Sequence, residues 1–204
     1  MLYLDFRDKF LDIGCVNINH ILIHYPSFNR NNLTRWVSQG LLLKLRQGYY
    51  TFPELAKKAN FNLFVSNRIY RPSYISLHTA LAFYGLIPEA IIDITAVTSL
   101  NTANFENSIG SYSYQKIKSD LFFGYERWKY NNTNILIAFP EKAILDLLYL
   151  YSFYNTEQEI EELRFDEYFL SNELSIQRLD EYTALYKNKA LEKRVKILKK
   201  VYGI

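Results

Sequence analysis

The sequence predicts an α+β protein, with an N-terminal winged helix-turn-helix followed by a domain in which a small β-sheet is flanked by helices. Within residues 29–52 the apolar period changes from helical to alternating, as in a helix followed by a hairpin. Short β-branched and aromatic runs then recur between residues 91 and 139, whereas the chain from residue 156 onward shows only helical patterns. We therefore divide the chain into residues 1–56 and residues 57–204.

The first fifty residues contain the signals of three short helices. Apolar residues within 2–12 recur at helical spacing. Asn17 or Asn19 is suited to cap a second helix that runs through Tyr25, and Pro26-Ser27 predicts the turn after it.

The third helix has an apolar stripe and a polar face without carboxylates. Leu33, Trp36 and Val37 are spaced i, i+3, i+4, so we expect Trp36 in the core and not on a nucleic-acid base. Gly40 has the character of a C-terminal cap. The polar residues of this helix are Asn31, Asn32, Thr34, Arg35, Ser38 and Gln39.

A hairpin is predicted directly after this helix. Leucines and cations alternate, so Leu43 and Leu45 are expected to face inward and Lys44 and Arg46 outward. Gln47-Gly48 is expected to form the turn. Tyr50 and Phe52 are expected to face inward on the return strand, and Pro53 ends the unit.

The second part of the chain alternates helices and strands. A short helix is predicted over residues 53–60, and two more within residues 61–84, which break at Arg71-Pro72 so that the second covers Ser73–Tyr84. Pro140 begins a further helix, whose predicted buried stripe is Ala143, Ile144, Leu147 and Leu148. The chain beyond Thr156 is predicted to be helical. Its predicted strands are Ile91–Val97, Ser111–Ile117, Leu121–Trp128 and Asn134–Phe139.

Positive charge is concentrated where the helix and hairpin lie. The chain has a net charge of +3, and residues 1–60 hold eight cations against four acids. Cations next to phosphates supply affinity for DNA, whereas Arg, Asn and Gln recognise base edges. Arg35 is the first candidate for a base contact. The other candidates are Asn31, Thr34 and Gln39 for bases, Asn32 and Ser38 for the DNA backbone, and Arg30, Lys44, Arg46, Lys57 and Lys58 for phosphates, with Gln47 at the hairpin tip.

Opposed charges fill the C-terminal region. Residues 157–181 hold nine acids and two arginines, and residues 187–200 hold seven cations and one acid. The two blocks are expected to pair along neighbouring helices, with a second phosphate-facing surface as the alternative.

Catalytic and metal sites are not expected. The single cysteine, Cys15, is expected to be buried, and the three histidines lack the spacing of a metal site. A nuclease site built from Asp93, Glu141 and Lys142 fits only weakly, because Glu141 is explained by its place at a helix start. No cofactor motif, signal peptide or membrane-length run is found, so a cytoplasmic location is expected.

Three stretches occur in a distinctive order: LTRWVSQGLLLKLRQGYYTF, YISLHTALAFYGLIPEAIIDITAVTS and FPEKAILDLLYL. In this order they resemble the AbiEi-like antitoxin and transcriptional regulator family of type IV toxin–antitoxin systems. The resemblance implies that residues 1–56 bind inverted repeats in the protein's own promoter and that residues 57–204 carry antitoxin activity.

The partner implied by the resemblance is a nucleotidyltransferase-like toxin, which such antitoxins oppose without a stable complex. The chain is not expected to be that toxin, because Gly110-Ser111 is followed only by Asp120 and lacks the paired Asp-x-Asp that holds metal. The alternative hypothesis is a stand-alone winged-helix regulator, or a protein-interaction module without a toxin partner.

Overall fold

In the computed structural model, which describes residues 2–89 and 92–204, helix accounts for about 48% and strand for about 20%. These values and the mixed sheet confirm the predicted α+β class. The helices are α1 (Tyr3–Phe10), α2 (Ile18–His24), α3 (Asn31–Ser38), α4 (Pro53–Ala56), α5 (Phe61–Ile69), α6 (Leu77–Phe83), α7 (Pro140–Leu150), α8 (Glu157–Glu161), α9 (Glu167–Asn172), α10 (Ile176–Tyr186) and α11 (Lys189–Tyr202). The strands are β1 (Val16–Asn17), β2 (Leu43–Arg46), β3 (Tyr49–Thr51), β4 (Ser73–Ile75), β5 (Ile94–Thr98), β6 (Ala103–Asn107), β7 (Gly110–Lys116), β8 (Tyr125–Tyr130) and β9 (Thr133–Ala138).

The N-terminal elements surround a cluster of aromatic rings. Trp36 is buried, as predicted, and its ring centroid lies 4.9 Å from that of Phe6 and 6.0 Å from that of Phe28. The Asn17 side chain accepts a hydrogen bond from the amide of Asn19, which identifies Asn17 as the cap of α2. These contacts place α3 against α1 with its apolar stripe inward.

A bulge changes the predicted faces of the hairpin. β1, β3 and β2 form an antiparallel sheet in that order, and its register shifts between Lys44 and Arg46. Tyr50 consequently lies opposite Lys44 and not opposite Leu45. Its side chain is half-buried and packs against the core, and on its other side it pairs with the fully buried Val16 of β1. Thr51 is fully buried, and Phe52 is buried as expected.

The larger sheet has six strands in the order β6-β7-β5-β4-β9-β8. β4 pairs antiparallel with β5 and parallel with β9, so Ser73–Ile75 is a central strand and the helix predicted to begin at Ser73 begins at Leu77. β6 was not predicted, because its sequence ANFEN carries asparagines at the sheet edge. β8 begins at Tyr125, after a short 3-10 turn. The strand predicted over Ile91–Val97 is observed as β5, and Ile91 lies outside the described residues.

The C-terminal helices cover α7, which is buried on all sides from Glu141 to Leu148. Ion pairs join the acidic and basic blocks, as the sequence predicts, between Lys199 and Asp180 and between Lys200 and Glu157. Five lysines of the basic block are exposed: Lys187, Lys189, Lys193, Lys196 and the paired Lys200.

A buried charged cluster lies where α7, β4 and α10 meet. Lys142 and Asp146 are fully buried and form an ion pair. The Lys142 ammonium also donates to the hydroxyls of Tyr74 (2.9 Å) and Tyr186 (2.8 Å). The Asp146 carboxylate accepts hydrogen bonds from Tyr74 (2.9 Å), Ser76 (2.8 Å) and Tyr186 (2.6 Å). Both charges are therefore satisfied without water.

The acid–base properties of the cluster follow from its burial. Desolvation lowers the pKa of Lys142, while the adjacent Asp146 opposes that shift. Burial, followed by the field of the Asp146 carboxylate, raises the pKa values of Tyr74 and Tyr186 well above their usual range. The two tyrosines therefore act as neutral hydrogen-bond donors between the sheet and the helices.

We predict that Asp146→Asn destabilises the protein by about 3–5 kcal/mol, because it leaves the Lys142 ammonium buried without its counter-charge. Adding Lys142→Met should recover part of this loss, because no unpaired charge then remains. Urea denaturation of the two single variants and the double variant measures the coupling.

The matched control is the exposed pair of Lys200 and Glu157. Lys200→Met and Glu157→Gln should each change the free energy of unfolding by no more than about 0.5 kcal/mol. A double variant at Lys142 and Asp146 that loses the full sum of the single losses would contradict the coupling.

Candidate nucleic-acid interface

The outward face of α3 presents the predicted polar residues to solvent. Asn32 is half-buried, and the remaining members of the predicted set are exposed: Arg30, Asn31, Thr34, Arg35, Ser38 and Gln39. A single helix therefore carries amide, hydroxyl and guanidinium groups next to one another, and residues 29–39 contain no carboxylate.

Hydrogen bonds within α3 hold some of these side chains in position. The side-chain oxygen of Asn29 accepts a hydrogen bond from the main-chain amide of Asn31 at 3.0 Å, and this bond fixes the start of the helix. Arg35 Nη2 donates to Asn32 Oδ1 at 3.1 Å, so Asn32 orients the guanidinium. The Ser38 hydroxyl donates to the Arg35 carbonyl oxygen at 2.7 Å.

The three exposed cations of this region are not neutralised by acids. Among residues 2–89 and 92–204, no ion pair involves Arg30, Arg35 or Lys44. Lys57 and Lys58, which follow α4, are exposed as well. The positive charge of this surface is thus available to an anionic partner.

Arg46 does not point to solvent as the alternation predicts. Its Nη1 donates to the carbonyl oxygen of Ile69 at 2.6 Å, and its guanidinium lies 4.2 Å from the ring centroid of Phe105 and 5.1 Å from that of Tyr70. The expected phosphate contact of Arg46 is therefore replaced by an internal one. The reason is that β6 lies beside β2 and supplies an aromatic surface for the cation.

The hairpin is held along its length. The Leu45 carbonyl oxygen accepts from Asn107 Nδ2 at 3.0 Å, which joins β2 to β6. At the tip, the Gly48 carbonyl oxygen accepts from the amide of Ile18 at 2.8 Å. Gly48 has φ +80° at this turn, as the sequence predicts, while Gln47 beside it is exposed.

The residues considered for catalysis and metal binding are used in other ways. Glu141 accepts from the amide of Ser175 and pairs with Arg178, and Lys142 pairs with Asp146. No group of three potential metal ligands occurs in the described part of the chain. Cys15 is buried as expected, and burial raises the pKa of its thiol to about 12.

The histidines do not assemble into a ligand set. His20 and His24 lie with ring nitrogens 3.3 Å apart on successive turns of α2. His78 is half-buried beside the Tyr151 ring, and burial lowers the pKa of its imidazole.

A second cationic site, not expected from the sequence pattern, lies on another part of the molecule. Arg68, Arg71 and Arg127 line one pocket between α5 and the β8-β9 end of the large sheet. Arg127 is 56 residues or more distant in sequence from the other two, so only the pairing of β8 with β9 brings them together. A partial signal was available, since Arg68 and Arg71 are three residues apart at the end of one helix.

We predict that Arg46→Ala lowers the free energy of unfolding by about 1.5–3 kcal/mol, because a charged hydrogen bond to a carbonyl and two ring contacts are lost. Lys44→Ala, on the same strand but exposed, should stay within about 0.5 kcal/mol of the parent protein. Urea denaturation compares the two, and equal losses would show that Arg46 does not anchor the hairpin.

Two further observations concern the chain as a whole. Across residues 2–89 and 92–204, no helix combines the length and the apolar character that a membrane span requires. A scan against protein-family models finds no match to this chain, and a search of curated proteins finds no similar sequence.

Proposed function

We propose that the chain is a winged helix-turn-helix protein that binds double-stranded DNA through α3. The observation that carries this proposal is the exposed face of α3, which together with the preceding Arg30 presents hydrogen-bonding side chains and two arginines and no carboxylate. Neither arginine forms an ion pair within residues 2–89 and 92–204. Such a face is suited to a groove with phosphates on both sides and base edges at its floor.

Recognition of bases is assigned to the exposed side chains of α3. An α-helix with its side chains is about 10–12 Å across, which suits the roughly 12 Å width of a major groove, and α3 offers eight residues of such a helix. Arg35 has the bidentate geometry for guanine, and Asn31 and Gln39 have amides for adenine. Asn32 supports this role by holding the Arg35 guanidinium.

Affinity is assigned to cations that contact phosphates. Lys44 is exposed on the outer face of β2, and Arg30 is exposed next to the start of α3. Lys57 and Lys58 are further candidates beyond the hairpin. Arg46 is not included, because its guanidinium is used within the chain.

We further propose that the protein represses its own promoter at inverted repeats and acts as the antitoxin of a type IV toxin–antitoxin system. The support for this role is the resemblance of the three quoted stretches to the AbiEi-like family. In this proposal residues 57–204 oppose a nucleotidyltransferase-like toxin.

We predict that Arg35→Ala weakens binding to a duplex from the region upstream of its own coding sequence by about 1–3 kcal/mol and relaxes the preference at one base pair. Lys44→Ala should weaken binding to all duplexes alike and reduce the slope of log K against log salt by about 0.9. Fluorescence anisotropy at several salt concentrations, with each base pair of the site varied, measures both effects.

The control is Lys118→Ala, which removes an exposed cation outside the N-terminal region. This variant should bind the duplex as the parent does. Salt-independent binding, or equal affinity of the parent and the Arg35 and Lys44 variants, would favour a protein-interaction module over a DNA-binding protein.

The antitoxin role predicts a phenotype in cells. If a nucleotidyltransferase-like reading frame adjoins the gene, its expression should arrest growth, and co-expression of this chain from an unrelated promoter should restore growth. Arg35→Ala should still restore growth, because promoter binding and toxin neutralisation are assigned to different parts of the chain. Growth arrest that the parent chain does not relieve would refute the antitoxin role and leave the DNA-binding proposal intact.

A further inference from the structure

A second surface of the molecule has the composition of an anion-binding pocket. The pocket has a volume of about 560 Å³ and lies between the end of α5 and strands β8 and β9. Its charged lining residues are Arg68, Arg71 and Arg127, and its lining contains no aspartate or glutamate among the described residues. Asn67, Phe122 and Tyr125 line it as well.

Three guanidinium groups around one pocket without a carboxylate repel one another unless an anion lies between them. The adjoining cleft, of about 890 Å³, shares Arg68 and Arg71 but also contains Asp12 and Glu54. Its mixed charge does not select for anions. The smaller pocket is therefore the stronger candidate.

Two of the three arginines are fixed by the surrounding chain. Arg71 Nε donates to the main-chain carbonyl oxygen of Asn67 at 3.0 Å. Arg68 donates to the Thr133 hydroxyl, and its guanidinium lies 4.9 Å from the ring centroid of Phe64. Arg127 forms no ion pair or hydrogen bond through its side chain within the described residues.

An unpaired amide in the lining points to a ligand with hydrogen-bond acceptors. Asn67 is 5% exposed, and its Oδ1 accepts from the amide of Leu136 at 2.5 Å. This bond fixes the orientation of the side chain and leaves Nδ2 as the other polar atom. Within residues 2–89 and 92–204, Nδ2 has no hydrogen-bond partner. Buried donors without partners are rare unless a ligand or water satisfies them.

Two aromatic rings, those of Phe122 and Tyr125, form another part of the lining. The Tyr125 ring stacks on Tyr74 with an interplanar angle of 18° and a centroid distance of 4.8 Å, and Phe122 packs against both rings. Tyr74 is itself held by the buried Lys142–Asp146 pair. The aromatic wall is thus supported from below by a rigid cluster.

We propose that this pocket binds a free nucleoside 5′-phosphate, with its phosphate groups on Arg71 and Arg127 and its base against Phe122 and Tyr125. Arginine pairs with phosphate oxygens in bidentate geometry, and aromatic faces stack with bases. The Asn67 amide supplies a donor for an acceptor on the nucleotide. The volume lies within the range of small-molecule sites. This proposal does not depend on DNA binding by α3.

The test is isothermal titration calorimetry of the full chain with ATP, GTP, CTP and UTP, and with inorganic phosphate and the matching nucleosides. At least one nucleotide should bind at least about tenfold more tightly than its nucleoside and than phosphate alone. Arg127→Ala should weaken that binding by about tenfold or more. Because Arg127 is exposed, circular dichroism should show an unchanged fold and melting temperature.

A second variant, Asn67→Asp, keeps the oxygen that accepts from Leu136 but replaces the unpaired donor with a negative oxygen, so it should abolish nucleotide binding. Arg164→Ala removes an exposed arginine that pairs with Glu89 outside the pocket and should bind nucleotides as the parent does. The proposal fails if no nucleotide binds, if phosphate alone binds as tightly as the nucleotides, or if Arg127→Ala has no effect. It also fails if Arg127→Ala weakens duplex DNA binding while free nucleotides do not bind, because the pocket would then hold a DNA phosphate.

Discussion

The buried pair of Lys142 and Asp146 is the constraint on which the arrangement of the larger part of the molecule depends. Removing two charges from water is costly, so the pair requires every hydrogen bond that surrounds it. Those bonds come from β4 and from α10, which are distant in sequence from α7. The sheet and the C-terminal helices are thereby fixed to one another by a directional interaction, whereas apolar packing alone would tolerate small shifts.

The same cluster supports one wall of the arginine pocket. Tyr74 reaches the ion pair with its hydroxyl and supports Tyr125 with its ring, so the wall of the arginine pocket is continuous with the core. A separate set of contacts made by Arg46 joins the hairpin to β6 and the end of α5. The N-terminal elements are thus attached to the large sheet by specific contacts as well as by apolar ones.

Local signals predicted the elements whose causes lie within a few residues. The Asn17 cap, the Gln47-Gly48 turn and the helix that Pro140 opens are of this kind. The helix predicted from Ser73 failed because β5 and β9 pair with Ser73–Ile75 on both sides, and no local pattern reports such neighbours.

The candidate site shows the same division. The outward face of α3 follows from helical period alone, and the structure exposes it. The predicted exposure of Arg46 is wrong, because the alternation of leucines and cations distinguishes the two faces of a strand but does not show whether solvent or another strand covers the outer face. Lys142 and Asp146 are spaced i, i+4, as in an exposed ion pair, so their burial was not foreseeable from sequence.

The bond between the Gly48 carbonyl oxygen and the amide of Ile18 has a mechanical consequence. The hairpin is bonded at its tip to the start of α2 and along β2 to β6, so it keeps a fixed distance from α3. A duplex docked against both would have to adjust its own groove width and twist to fit. Base steps that are never touched would then influence affinity through their stiffness, so flexible pyrimidine–purine steps beside the contacted bases would be favoured over rigid adenine tracts.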